Sequence, residues 1–259
     1  MRDTRRPVTA WLNEAVPPLI SIDDHIERVR VEGERLAAVV AVTSWDARVP
    51  GCPDWDVEGL VRHMGDVHRW AGMIVRERLP ERPGRDFDRP EDTGALLDWY
   101  REGHAQLLGA LAGASPADSL WAWAPAPSPL AFWARRQAHE TAMHRLDAEQ
   151  AAGMVTPFPA RDAADGVDEW LLIASARAKV PDGDGRTLHL TCTDTGDNWL
   201  VALRADGLYV QRGVPGGDCA VSAPASELFA LVMNRRVGDG LDVEGDTDVL
   251  RTWREGVRF

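Results

Sequence analysis

The segment RRQAHETAMHRLDAEQ, from Arg135 to Gln150, packs histidines and carboxylates at spacings that could hold a metal ion. His139-Glu140-Thr141-Ala142-Met143-His144 is one residue longer than the H-E-x-x-H arrangement. In that arrangement two histidines at i and i+4 bind zinc and the glutamate is left as a base. On a helix, positions five apart lie about 140° around the axis, so His139 and His144 cannot share one ion. Glu140 and His144 are four apart, roughly 40° around the axis and one turn along it, so their side chains are neighbours. Protease chemistry is therefore excluded, and a Glu-x-x-x-His half-site replaces it.

A half-site in a helical protein needs a further ligand from a facing helix. The segment RHMGDVHRW offers His63 and His68, again five apart, so at most one reaches the same ion. On the helical wheel His68 lies near the centre of the apolar stripe and His63 on its flank. Pattern alone favours His68 as the inward-facing residue. A lone histidine on an apolar face also serves as a packed, hydrogen-bonded core residue. His104 and His25 have no spaced partner, and spacing leaves the choice of third ligand open.

These residues have to be positioned by helices. From about residue 22 to 153 the apolar periodicity is helical. IDDHIERVRVEGERLAAVVA follows a Ser21 or Asp23 cap, and DWDVEGLVRHMGDVHRWAGMIVRERL follows Asp54 or Asp56. Pro83, Gly84 and Pro90 break the chain before a third helix, DTGALLDWYREGHAQLLGALAG. The fourth, SPLAFWARRQAHETAMHRLDAEQAAG, ends at Gly153. Four long helices with an extended crossover predict a four-helix bundle. After MVTPFPA the pattern becomes mixed: a helix, strands in RTLHLTCTD and NWLVALRADGLYVQRG with a turn at Ala205-Asp206-Gly207, a helix in SELFALVMNRR, a turn-rich edge in DGLDVEGD and a last helix in TDVLRTWRE. The expected organisation is an all-helical domain over residues 1–155 and a small α+β domain over 162–259.

Composition narrows the function classes. The chain has 259 residues, 44% hydrophobic and 27% charged, which describes a soluble globular protein. A net charge of −12 argues against nucleic acid or an anionic membrane surface as partner. No apolar run is long enough to span a membrane, and MRDTRRPVTAWLNEAVPP lacks the apolar centre of a signal peptide. Three scattered cysteines, Cys52, Cys192 and Cys219, form neither a disulfide framework nor a zinc motif, and the expected compartment is the reducing cytoplasm. The 29 basic residues include a single lysine, Lys179, a bias that suggests a GC-rich genome.

VPGCPDWDVEGLVRHMGDVHRWAGMIV resembles the N-terminal signature of the mycothiol-dependent maleylpyruvate isomerase family, part of the wider DinB-like group. RRQAHETAMHRLDAEQAAG resembles that family's second signature, and SAPASELFALVMNRRVGDGLDVEGDTDVLRTWRE is similar to its sterol-carrier-protein-like second domain. The resemblance covers roughly residues 25 to 255. It implies a DinB-like metal-binding bundle with three ligands, His63, Glu140 and His144, and makes His68 a substrate-side, supporting or core residue. Two imidazoles and one carboxylate leave a position open on zinc or a similar divalent metal, the mark of a catalytic site. In the resembled family that position takes the sulfur of mycothiol, which the metal keeps as a thiolate at neutral pH. The implied activity is an isomerase or S-transferase acting on an electrophilic small molecule. A thiol-independent metal hydrolase or lyase and a non-catalytic binding protein are the alternatives.

An anionic substrate calls for a cation, and Arg135, Arg136, Arg235 and Arg236 are the candidates. Arg235 joins His68 in the expected catalytic set, and Arg136 is expected at the cofactor. Cys52 is expected to be a structural loop thiol, Trp70, Trp99 and Trp133 to pack in the core, and Asp147 and Glu149 to lie on the surface. The expected assembly is a monomer or weak homodimer.

Overall fold

The computed structural model describes residues 20–235 and 240–257. Arg236 and the first 19 residues of the expected helical region lie outside them. The chain forms two compact units, one spanning Ile20–Thr156 and one running on from Pro157.

The first unit is a four-helix bundle of α1 (Ile22–Val40), α2 (Val57–Glu77), α3 (Thr93–Ala112) and α4 (Pro129–Ala151). Each helix begins at a short polar residue whose side chain accepts from the first turn: Ser21 from Asp24 N, Asp56 from Gly59 N, Asp92 from Gly94 N and Ser128 from Ala131 N. A cap of this kind is worth about 1 kcal/mol and fixes where the helix starts. α2 stops at Arg78 in the left-handed region (φ 51°), and the chain leaves α4 through Gly153 at φ 73°, where glycine carries no Cβ penalty.

Helices α1 and α4 pack together along their lengths, as do α2 and α3. The bundle interior consists of two apolar clusters with a polar layer between them. One cluster takes α2 from Ala71 onward and α4 up to Ala138, with Leu107, Leu111, Phe132 and Trp133. The other takes α2 up to Met64 and α4 at Ala148, with Leu36, Leu60, Leu96 and Tyr100. Each fully buried Leu, Ile or Phe contributes about 1.5–3 kcal/mol, so these clusters hold the helices and free the middle layer for polar groups. Trp99 and Trp133 are buried as expected and Trp70 is half-buried.

The polar layer accounts for two residues expected on the surface. Asp147 and Glu149 are both buried, because α4 is enclosed on nearly every side. Glu149 Oε2 accepts from Arg145 Nη1 and Thr156 N, each at 2.7 Å, and Arg145 Nε donates to Glu32 Oε2 on α1 at 2.7 Å. Removing one partner from such a buried pair costs about 3–5 kcal/mol.

The second unit is α+β. Helix α5 (Ala160–Arg177) precedes β1 (Thr187–Cys192), β2 (Asn198–Arg204), β3 (Gly207–Arg212), β4 (Cys219–Ala223), α6 (Ala225–Val232), β5 (Asp242–Gly245) and α7 (Thr247–Gly256). The sheet order is β3-β2-β1-β4-β5, antiparallel except for the parallel β1–β4 pair. Alternation in β1 and β2 buries Leu188, Leu190 and Cys192 beside Trp199, Val201 and Leu203. β4 has no counterpart among the expected strands. Its sequence CAVSA is short and weakly alternating, and its parallel pairing to β1 is a long-range contact that no local pattern reports.

Candidate metal centre

The loop from α1 to α2 is the first element of the site. Trp55 N donates to Cys52 O (2.8 Å), Cys52 N to Val49 O (3.0 Å) and Val49 N to Trp55 O (3.1 Å), folding PGCPDW into tight turns just before the Asp56 cap. His63 lies on α2 within two turns of that cap. Glu140 and His144 come from α4, one turn apart as their spacing requires.

These three side chains converge. Each of His63, Glu140 and His144 offers one ligand atom, all within 4.8 Å of one another. His63 Nε2 is 3.4 Å and His144 Nε2 3.7 Å from Glu140 Oε1, and the two imidazole centroids are 4.9 Å apart. Ligands about 2.0–2.1 Å from a tetrahedral zinc stand roughly 3.3 Å from each other, so the set fits such an ion with little adjustment.

His144 and Glu140 each have further support. His144 Nδ1 is 2.8 Å from Asp147 Oδ2, one turn further along α4. The Asp147 carboxylate holds the ring with Nε2 facing Glu140 Oε1: protonated, Nε2 donates to that carboxylate, and neutral, it offers a lone pair to a cation, the arrangement that orients a metal-binding histidine. Asp147 Oδ2 also accepts from the Cys52 thiol at 3.8 Å. Arg136 Nη2 donates to Glu140 Oε2 at 3.0 Å, leaving Oε1 toward the histidines. Trp55 covers the pair, stacked on His144 at 5.8 Å and tilted against His63 at 4.7 Å.

The electrostatics follow from these contacts. Burial alone would raise the Glu140 pKa, but the Arg136 charge and hydrogen bonds from His144 and His63 hold it well below the usual range, so the group is an anion. Burial opposes a charged His144, yet its bonds to Asp147 and Glu140 outweigh this and raise its pKa. Burial lowers that of His63, only partly offset by Glu140, which keeps its lone pair free for a metal.

The other expected site residues are placed as follows. His68 is 0% exposed in the polar layer, its Nε2 3.0 Å from Thr141 Oγ1 and its ring 5.4 Å from those of both Tyr100 and His104. The wheel thus assigns His68 correctly to the interior, while the flanking His63 is the one that meets Glu140. Arg136 is buried against Glu140. Arg235 follows α6 in the second unit, where its N donates to Ala230 O (2.8 Å) and its Nη1 to Met233 O (2.9 Å).

Sequence reasoning missed Asp147 and Trp55. Asp147 carried a usable signal, a carboxylate at i+3 from a proposed ligand. Trp55 carried none, because a loop aromatic reaches the site only through the fold of its turn.

Two family models match the chain. One is described as the mycothiol maleylpyruvate isomerase N-terminal domain and matches residues 26–149; the other is the C-terminal domain of the same family and matches residues 161–252. Two solved structures share the fold: a mycothiol-dependent maleylpyruvate isomerase, at 14% identity and TM-score 0.62, and a histidine-to-alanine mutant of such an enzyme, at 13% and 0.64. Each alignment covers 93% of this chain and 98% of the other. No curated protein matches the chain. Among the described residues no helix is long and apolar enough to cross a membrane.

Proposed function

Because the chain belongs to the mycothiol-dependent maleylpyruvate isomerase family, we propose that it is a metal-dependent enzyme that uses mycothiol on an electrophilic small molecule. The observation that carries this reading is the convergence of His63, Glu140 and His144 on one point. Two imidazoles and a carboxylate suit zinc and leave one coordination position for an exogenous ligand. A divalent cation bound there would lower the pKa of a coordinating thiol and keep it as a thiolate at neutral pH.

The chain's own residues have distinct tasks. His63, Glu140 and His144 hold the ion. Asp147 fixes the ring orientation of His144, and Arg136 fixes the carboxylate of Glu140. Trp55 limits water at the two imidazoles. His68, wholly enclosed, supports the α2–α4 contact rather than touching substrate. Addition of the thiolate sulfur to an unsaturated carbon converts a double bond to a single bond that can rotate; expulsion of the same sulfur then gives the isomer and returns the thiol. Retention of the sulfur, with protonation of the adjacent carbon, gives the S-conjugate instead.

Elemental analysis of protein purified without chelator, beside a His144→Ala variant, tests the site. About one zinc per chain in the wild type and background in the variant is the expected result. Turnover of an electrophilic substrate should then require both the metal and mycothiol. A wild type that retains no divalent metal after reconstitution, or a loaded enzyme whose turnover is indifferent to mycothiol, would overturn the proposal.

A further inference from the structure

The crossover between α2 and α3, residues 78–92, has no regular structure, yet side chains of both helices fasten it along its length. Trp70 Nε1 donates to Pro83 O (3.3 Å) and Trp99 Nε1 to Asp88 O (3.0 Å). Arg62 donates to Pro90 O (2.7 Å) and Glu91 O (3.1 Å), and Arg89 reaches both oxygens of Asp66, at 3.1 and 3.0 Å. Arg62, Asp66 and Trp70 follow one another at four-residue intervals, so they form a single line along α2. His63 adjoins that line. The crossover is thereby held alongside α2 from Trp70 back to Arg62, the stretch that carries His63.

Arg85 sits between the fastening points at Pro83 and Asp88. The residue is exposed, and its guanidinium carbon lies 5.2 Å from the centroid of the Trp70 ring, within reach of a cation–π contact. The other arginines nearby are engaged with the protein: Arg62 with backbone carbonyls, Arg69 with Trp99 O, Arg89 with Asp66 and Arg136 with Glu140. Among the described residues Arg85 has no hydrogen-bond or ion-pair partner. Partial burial lowers its pKa, and the carboxylates that oppose this are Glu140 of the ligand set and Asp66. Arg82, whose guanidinium lies 6.0 Å from the same ring, adds a second positive charge further out. The crossover also carries carboxylates, Asp86 and Asp88 among them, so any pull on a small anion comes from the placement of Arg85 and not from the net charge of the loop.

We propose that Arg85 is the anion anchor of this centre, receiving a carboxylate of the small molecule so that its electrophilic carbon is presented beside His63, Glu140 and His144. This rests on the metal-centre reading above and names the residue that selects the substrate class: carboxylates over neutral analogues. A guanidinium pairs with a carboxylate through two parallel N–H···O bonds, which orients the ligand as well as attracting it.

The test compares fumarate with its neutral analogue fumaramide by calorimetric titration of the full chain, zinc-loaded and metal-free. Wild-type protein should bind fumarate at least about tenfold more tightly, the size expected of one charge-assisted pair. Arg85→Gln should abolish that preference, Arg85→Lys should restore part of it, and Arg82→Gln should leave most of it intact. Zinc content should be equal in all four proteins. A preference for fumarate that survives Arg85→Gln, or no preference in the wild type, would overturn the anchor while leaving the metal site standing. A chain without zinc would overturn the metal site instead; the anchor would then stand or fall on the metal-free titration, where Arg85→Gln must still remove the preference. Absence of fumarate binding in both forms would also overturn it.

Discussion

Helices α2 and α4 meet through polar residues twice, and the two meetings differ in kind. At one, His63 faces Glu140 and His144; at the other, His68 faces Thr141. Both use an imidazole of α2 against α4, and Glu140 and Thr141 are adjacent in sequence. At the first, acceptor atoms converge, Asp147 and Arg136 stand behind two of them, and the side chains of His63 and Glu140 keep part of their surface open. At the second, each ring has a neutral partner: Thr141 for His68 and the Val29 carbonyl for His104, while Tyr100 donates to Gly33 O. A cluster of lone pairs that needs a cation is poised for function. A cluster whose rings each bond a neutral group inside the protein is cement, even with His68 Nδ1 left without a partner.

Alanine at the two histidines of α2 should give the widest separation. His63→Ala is expected to reduce bound metal to background while altering stability by no more than about 1 kcal/mol, because the side chain is 27% exposed and is not part of the enclosed core. His68→Ala should leave metal content near one per chain and cost about 2–4 kcal/mol, since it opens a cavity and strands Thr141. Metal analysis alongside urea unfolding reads both quantities, and a reversal of the two patterns would collapse the comparison.

Asp147→Asn sharpens the first cluster. It keeps the shape but replaces the carboxylate behind His144, and metal affinity should fall about 10- to 100-fold in a chelator competition. An unchanged affinity would mean that the Asp147 bond does not orient the ligand.

Acid should distinguish the clusters through stability. Burial holds the pKa of His104 below its usual value and that of His68 well below it, so both are neutral in the folded chain. The unfolded chain takes up their protons below about pH 6.5, binding more protons than the folded one, so stability falls as pH drops through that value. The slope approaches about 1.4 kcal/mol per pH unit for each histidine kept neutral. His144 acts with the opposite sign, because its raised pKa stabilises the folded form below the same pH. His63, whose pKa burial also lowers, adds to the same slope, so metal-free protein carrying both His63→Ala and His144→Ala isolates the contribution of His68 and His104, and a pH-independent stability from 6.5 to 5 would contradict it.

The smallest effect belongs to the bond between His68 and Thr141. Thr141→Val should cost about 1–2 kcal/mol by leaving His68 Nε2 without a partner, Thr141→Ser should recover most of it, and neither should change metal affinity.

Apolar periodicity and the Ser and Asp caps suffice to place the helices, and a spacing of four suffices to pair Glu140 with His144. Both depend on spacing along one regular helix, where geometry is fixed by the backbone. The two-part architecture was legible for the same reason, in the change from helical to alternating patterns. The resemblance to a family, carried by short motifs, was needed to name His63 over His68. Which residues of different elements meet is settled by packing in three dimensions. Asp147 and Glu149 are buried because α4 is enclosed by its neighbours; Trp55 and Cys52 reach the site because a turn folds them back; β4 is a strand because β1 offers it a parallel edge. The loop that carries Arg85 lies along α2 because four side chains of α2 and α3 fasten it there. Such contacts depend on long-range packing, and periodicity along the chain carries no record of them.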